Sequence, residues 1–327
     1  MTSFRAYRHF TEGGNVSGRI ETITLDDLSP GEVIIRTAYA SVNYKDALAA
    51  HGRNKIIRDY PRIGGIDLFG TVTESRDPNI KPGDSVVAHG FGIGVDHDGG
   101  YAEYARIKND WVMPLPAGLT LRDAAAVGVA GYTAALSIHL MELNGLTPQS
   151  GRVAVNGATG GVASIAIDML AANGYSVTAI TGKKDAREYL IGLGAADVMD
   201  RDTIPPAPRP LEAATWAGAV DSLGGDALAW LTRTMQPQGV ITAFGNALGA
   251  ELHTTVMPFI LRGVRLIGVN ANSPMPLRRE VWQRIATDLK PRHLTSIVNE
   301  IGLDQLPDAF ARLIENRNTG RIVVSLQ

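Results

Sequence analysis

Two stretches of this 327-residue chain have the make-up for chemistry. In Arg152-Val153-Ala154-Val155-Asn156-Gly157-Ala158-Thr159-Gly160-Gly161-Val162-Ala163 a Val-rich apolar run meets a Gly-rich turn, and Ser164 to Gly174 continues at helical spacing to a glycine stop. The reading is strand, loop, helix. Small residues at such a turn let the chain bend sharply and bring the N–H groups of a helix N-terminus against a pyrophosphate. Against the G-x-G-x-x-G/A pattern, Ala158 stands first, Gly160 second and Ala163 third. The next strand, Ser176-Val177-Thr178-Ala179-Ile180, leads into Thr181-Gly182-Lys183-Lys184. A dinucleotide with a free ribose 2′-OH is met at that tip by Asp or Glu. A hydroxyl and two ammonium groups instead suit a 2′-phosphate, and so NADPH; an ordinary solvated turn is the alternative. Arg201, just past the third strand, is a second candidate cation for that phosphate, or a surface arginine paired with Asp200 or Asp202.

The other stretch is Ser41-Val42-Asn43-Tyr44-Lys45-Asp46-Ala47-Leu48, where Asn, Tyr, Lys and Asp cluster at the end of a strand and lead into a short helix. Loops at strand ends are where a fixed scaffold presents reactive groups. A helix cap with a buried tyrosine accounts for the same residues.

Composition narrows the field. A formal net charge of -2 gives no footprint for nucleic acid, and the absence of cysteine removes disulfides, thiolate nucleophiles and cysteine-ligated zinc. The seven histidines are scattered, and Asp96-His97-Asp98 reads as a polar loop, so no metal is expected. The N-terminal residues lack the apolar core of a signal peptide, and no uninterrupted apolar run approaches the roughly 20 residues of a membrane span. The expectation is a soluble, cytoplasmic protein with neither a membrane nor a nucleic-acid partner.

The elements that must hold these stretches fall into two textures. Up to about Arg106 the chain shows short β segments with Pro-Gly and Gly-Gly punctuation: Ile20–Ile23, Val33–Ala40, Phe69–Ser75, Ile80–Ala88 and Gly99–Ala105. From Thr120 it turns Ala-rich and helical, with Gly131 as the expected interruption, and from Arg152 it alternates β and α through strands near Asp197, Ala219, Val240 and Leu266. That alternation describes a doubly wound parallel sheet. The run Ile204 to Pro210 is an expected exposed loop, and a helix from Leu306 precedes a last strand, Arg321 to Leu326, expected to return to the first half. Arg321 itself faces either a cleft or solvent on this reading.

The combined pattern resembles the medium-chain dehydrogenase/reductase superfamily, in its zinc-independent quinone oxidoreductase branch. Asn43 to Leu48, Pro61 to Gly70 and Val155 to Val162 carry the resemblance. Closer still, Lys55-Ile56-Ile57-Arg58, Asp110-Trp111, Glu212 to Ala219 and Thr254 to Arg262 are similar to the acrylyl-CoA reductase (NADPH) family. Ala163 departs from its usual glycine and calls for slightly wider helix packing.

The resemblance implies an α/β chain: a GroES-like β-rich catalytic domain over residues 1–123, completed by about 296–327, and a Rossmann NADPH-binding domain over 124–295. It implies a metal-independent hydride transfer from NADPH to the β-carbon of an acyl-CoA, acryloyl-CoA giving propionyl-CoA. A quinone or enone reductase, and a NADPH-binding protein without turnover, are the alternatives. Tyr44 would lie at the nicotinamide as positioning group and candidate proton donor, an ordinary phenol being protonated at neutral pH, with protonation by water the alternative. Asn43, Asp46 and Asp67 would support it. Thr159, Gly160, Gly161 and Val162 would take the pyrophosphate, and Thr181, Gly182, Lys183 and Arg201 the 2′-phosphate. Asn246, Ile260 and Asn270 would approach the nicotinamide side. Relatives commonly pair Rossmann sheets edge to edge, so a homodimer through the strand near Leu266 to Val269 is expected.

Overall fold

A computed structural model describes residues 3–205 and 209–327. Pro206 to Pro208, in the expected loop, lie outside the described residues. The chain folds into two compact units: residues 1–129, 272–279 and 298–327, and residues 130–271 with 280–297. The division after Val129 falls inside the helix Leu121–Leu143, past the expected 123/124 boundary. Asn272 to Arg279, expected with the second half, belong to the first unit. Asn272 Oδ1 accepts from Phe91 N at 2.9 Å, and the Arg278 guanidinium lies 4.2 Å over the Phe91 ring and donates to the His89 carbonyl.

The first unit holds a seven-stranded sheet in the order Val298–Ile301, Arg321–Ser325, Val33–Val42, Asp67–Ser75, Ser85–His89, Val112–Pro114, with Tyr104–Ile107 also paired to Val33–Val42. A three-stranded sheet joins Asn15–Thr24, Ser3–Glu12 and Arg62–Ile63. The hairpin Ser3–Glu12 and Asn15–Thr24 turns on Gly13 and Gly14, whose φ of 58° and 83° is the left-handed geometry a tight β-hairpin needs. Two expected strands are shorter than their apolar runs. Ile80–Ala88 pairs only from Ser85, because Pro82 lacks an N–H and Gly83 turns at φ 95°. Gly99–Ala105 pairs as a named strand only from Tyr104.

The last strand is antiparallel to Val33–Val42, with Ile322 opposite Val42, and Asp67–Ser75 flanks the other side of Val33–Val42. The start of Arg321–Ser325, the end of Val33–Val42 and the start of Asp67–Ser75 therefore meet at one end of the sheet. Asp96-His97-Asp98 is a structural hub: the Asp98 carboxylate accepts from Ser29 N, Ser29 Oγ and Ile63 N at 2.8–3.0 Å, and both His97 ring nitrogens sit 3.0 Å from backbone carbonyls.

The second unit is a parallel six-stranded sheet ordered Asp197–Asp200, Ser176–Thr181, Arg152–Asn156, Trp216–Asp221, Met235–Ala243, Arg265–Gly268. Its middle strands are largely apolar and buried, with polar residues such as Asn156 and Asp221 at their ends, because helices cover both faces. Trp216, Leu231, Met235 and Ile241 form part of the core between sheet and helix Gly225–Thr234. The helix Leu121–Leu143 is long and apolar enough to cross a membrane, yet its apolar window is 94% buried within the protein. It breaks at Gly128, with φ 54°, rather than at Gly131. The reason is steric: a Cβ at Gly128 would collide with the Arg321 guanidinium and the Ser41 hydroxyl.

Candidate active site

In the second unit, the strand Arg152–Asn156 feeds the turn Gly157 to Gly160 and the helix Gly161–Ala172. Gly160 is the N-cap and offers no side-chain cap. The first-turn N–H groups are therefore uncapped by a side chain, with the positive end of a helix dipole behind them. A Cβ at Gly160 would meet only the Gly157 carbonyl, at 3.2 Å, so the glycine leaves the approach to those N–H groups open. The turn is braced from beneath. Gly160 N donates to Gly157 O at 2.8 Å, Ala158 N to Ile180 O at 3.1 Å, and Tyr189 Oη to Ser164 Oγ at 2.9 Å, with Ser164 Oγ donating on to Ala158 O at 3.2 Å. Asn156 donates to the Asp221 carboxylate and accepts from Ser222 N at 2.8 Å, which ties two adjacent strand ends together.

At the tip of the second strand, Thr181 Oγ1 accepts from Lys183 N at 3.1 Å. Burial holds the Lys183 ammonium below its ordinary pKa, and Asp185 pulls the other way. The Arg201 guanidinium lies across Gly182, where a Cβ would stand 2.5 Å from Nη2. Its contact with Asp202 is 4.0 Å, and Asp200 instead accepts from Asp202 N. Thr181, Gly182, Lys183 and Arg201 are thus brought together, and their hydroxyl and cations match a phosphate monoester. Thr159 is buried at the turn, and Gly161 and Val162 open the helix. Asn246 and Asn270 are exposed beyond the ends of the last two strands. Ile260 is 71% exposed on the helix Met257–Arg262.

In the first unit, Asn43 is the N-cap of the helix Tyr44–Ala50 and Asp46 its N3 residue, a capping box. The helix-cap reading is right for Asn43 and Asp46, but Tyr44 is not buried: it is 41% exposed on the first turn. Its neighbours are engaged inward. Asp67, fully buried, accepts from Ser41 N at 2.7 Å, Ser41 Oγ at 2.5 Å, Val129 N at 3.1 Å and Asn43 Nδ2 at 3.4 Å. Asp46 accepts from Asn43 N at 2.8 Å and Ile66 N at 3.1 Å. Burial first, and the nearby Asp67 charge second, push the Asp46 carboxyl up to about 7. Arg321 faces neither a cleft nor solvent; it is 3% exposed and bonded to the same loop. Ser41, Tyr101, Gly128 and Arg321 complete the cluster; of these, sequence reasoning reached only Arg321, as facing a cleft or solvent. The one signal was an arginine opening an apolar strand, Arg321-Ile322-Val323-Val324.

Known proteins match both units. The alcohol dehydrogenase GroES-like domain matches residues 29–117, and the zinc-binding dehydrogenase domain residues 161–289. The chain belongs to the medium-chain dehydrogenase/reductase superfamily. Within this superfamily of oxidoreductases it is 42% identical to acrylyl-CoA reductase AcuI of Ruegeria pomeroyi, over 96% of each chain. It is 44% identical over 99% of each chain to a Bacillus subtilis protein named "Putative quinone oxidoreductase YhfP". A crystal structure of that Bacillus protein with NAD bound has TM-score 0.97, covering 99% of this chain and 100% of its own. The yhdH oxidoreductase of Salmonella enterica in complex with NADP has TM-score 0.96 and 41% identity, covering 99% and 100%. The first unit is the GroES-like part of the superfamily fold and the second its Rossmann part, as the resemblance implied. The domain name mentions zinc; among the described residues no group of three or more His, Asp or Glu is placed to hold a metal ion.

Proposed function

We propose that this protein is a NADPH-dependent reductase of an α,β-unsaturated acyl-CoA, acryloyl-CoA to propionyl-CoA, working without a metal. Bound NADPH supplies a hydride. The pyrophosphate falls to Thr159, Gly160, Gly161 and Val162, and the 2′-phosphate to Thr181, Gly182, Lys183 and Arg201, with Asn246, Ile260 and Asn270 toward the nicotinamide. The observation that carries the reading is the guanidinium of Arg201 over Gly182 beside Thr181 and Lys183, a cationic tip where an NAD-selective strand carries a carboxylate.

On the acyl side, hydride addition to the β-carbon moves the C=C electron pair toward the thioester oxygen, and the enolate takes a proton at the α-carbon. Tyr44 is the residue proposed to donate or relay that proton. Its phenol is exposed, while Asn43, Asp46 and Asp67 hold the helix start that carries it. No thiol or metal is needed for this step, because conjugation already makes the β-carbon electrophilic. The acyl-CoA choice rests on likeness to AcuI. Arg53, Lys55, Arg58, Arg106 and Lys108 supply cations for its phosphates.

A quinone or enone acceptor is the second reading, favoured by the 44% likeness to YhfP. Initial rates with acryloyl-CoA, crotonyl-CoA and a benzoquinone, each with NADPH and with NADH, decide between them. Acryloyl-CoA with NADPH is expected to give the highest kcat/KM; preference for the quinone overturns the acyl-CoA assignment. We further propose a cytoplasmic homodimer joined through the edge strand Arg265–Gly268.

A further inference from the structure

Arg321 is a buried cation in the first unit that the hydride step does not use. Its Nη1 donates to Val42 O at 3.3 Å and Asn43 Oδ1 at 3.2 Å, and its Nε to Ala126 O at 3.3 Å. The other end of the same amide, Asn43 Nδ2, faces Asp67 Oδ2 at 3.4 Å. An amide with a guanidinium at its oxygen and a carboxylate at its nitrogen has one acceptable orientation. Asn43 is the residue before Tyr44 and the cap of its helix. The tertiary structure makes room for this arrangement, since only glycine at 128 clears the guanidinium.

The protons of the cluster can be assigned from its hydrogen bonds. Asp67 accepts from four donors, two N–H groups, a hydroxyl and an amide, which is the pattern of an anion. Tyr101 Oη donates its single proton to Ser41 O at 3.2 Å. The groups around Asp46 are Asp67, Tyr101, Arg321, Asn43 and the Ile66 N–H. One cation among them balances one anion, and a second buried anion would be uncompensated.

We propose that Arg321 is a positioning residue: it orients the Asn43 amide, and with it the loop that presents Tyr44, and its single charge is matched by Asp67, which leaves the second buried carboxyl, Asp46, protonated. The direction in which burial and Asp67 move Asp46 agrees with this assignment. The kinetic part of the inference rests on the reductase reading; the proton assignment does not.

The test uses the full chain with Arg321→Met, Arg321→Lys and Asp46→Asn. NADPH oxidation with acryloyl-CoA is followed on both sides of pH 7, NADPH binding by its fluorescence, and carboxyl protonation by infrared difference spectroscopy. Arg321→Met is expected to lower kcat roughly ten- to a hundredfold, as a misplaced reacting group does, with NADPH affinity unchanged within about twofold. Arg321→Lys restores the wild-type pH profile but only part of kcat, because an ammonium supplies charge without the fork. The wild type shows a protonated carboxyl signal below pH 7 that Asp46→Asn removes, and in Arg321→Met the signal persists to higher pH. Wild-type kcat and pH profile in Arg321→Met overturn the proposal, as does a loss of NADPH binding in parallel with kcat. A wild type without turnover on any acceptor sinks the reductase reading and leaves the infrared result to judge Arg321. Normal turnover with a carboxyl titration indifferent to Arg321 sinks the positioning role alone.

Discussion

The guanidinium of Arg201 lies across the backbone of Gly182, close enough that a Cβ on the glycine would stand 2.5 Å from Nη2. The third strand's exit thus delivers a cation to the tip of the second, against the glycine between Thr181 and Lys183. Arg201→Ala removes the charge and Gly182→Val displaces it. Each is expected to weaken NADPH about tenfold, the low end of a charge-assisted phosphate contact because Arg201 is partly exposed. NADH, lacking the phosphate, is expected to bind within about twofold of wild type. Fluorescence titration with both nucleotides checks this, and an equal loss for both would show that Arg201 supports the fold of the tip instead. The comparison is pointed because the 44% identical Bacillus subtilis protein has been crystallised with NAD.

Tyr44 is exposed while Asn43 and Asp46, on either side of it, are spent on the helix cap. Replacing it with Phe keeps the ring and removes only the hydroxyl. A proton donor lost in this way costs about a hundredfold or more in kcat, with NADPH affinity retained. Wild-type turnover with acryloyl-CoA would assign the α-carbon proton to water.

The two stretches differed in how far they could be read from the chain. The one proposed for the nucleotide is local: Gly157 to Val162 are contiguous, and Thr181 to Lys183 follow a strand whose end is set by its own apolar run. The cluster around Asn43 is assembled by strand pairing. Ser41, Asp67 and Arg321 come from three neighbouring strands, and only the register Val42 to Ile322 brings Arg321 to the loop. Gly128 and Gly131 look alike within an Ala-rich helix, and what selects Gly128 for the break is contact with Arg321 and Ser41, residues far away in sequence. The doubly wound sheet was legible because short apolar runs alternate with helical segments along the second half of the chain. The shorter pairing of Ile80–Ala88 was not, because a proline and a left-handed glycine interrupt an apolar run without making it less apolar.

Ile260 is 71% exposed, and Val256 and Leu261 beside it are 62% and 60% exposed, just before the edge strand Arg265–Gly268, whose outer side has no partner strand among the described residues. An apolar helix face beside an open sheet edge is an association surface. Leu261→Asp is expected to shift sedimentation equilibrium from dimer toward monomer. The melting temperature measured at a fixed low protein concentration should stay nearly constant, since the side chain packs against little of its own chain. A wild type already monomeric at micromolar concentration would remove the dimer.

His9 supplies a prediction about acid stability that is independent of the reaction. The ring is 1% exposed, packed 5.4 Å from Tyr7 and 6.1 Å from Phe310, and neither nitrogen has a hydrogen-bond partner among the described residues. Burial lowers its pKa from 6.5 to about 4. Between those values the unfolded chain binds a proton that the folded chain refuses, so unfolding is favoured as pH falls. The contribution is fully present above pH 6.5 and lost on the way down to about 4. The gap corresponds to roughly 3 kcal/mol. His9→Leu keeps an apolar side chain of similar bulk in the Tyr7 and Phe310 contact and removes the titration. Urea midpoints measured from neutral pH to pH 4 are expected to fall less steeply for the variant, which should overtake the wild type in the acid part of the range. Identical slopes would mean that the folded protein admits the proton, and with it water, into this core.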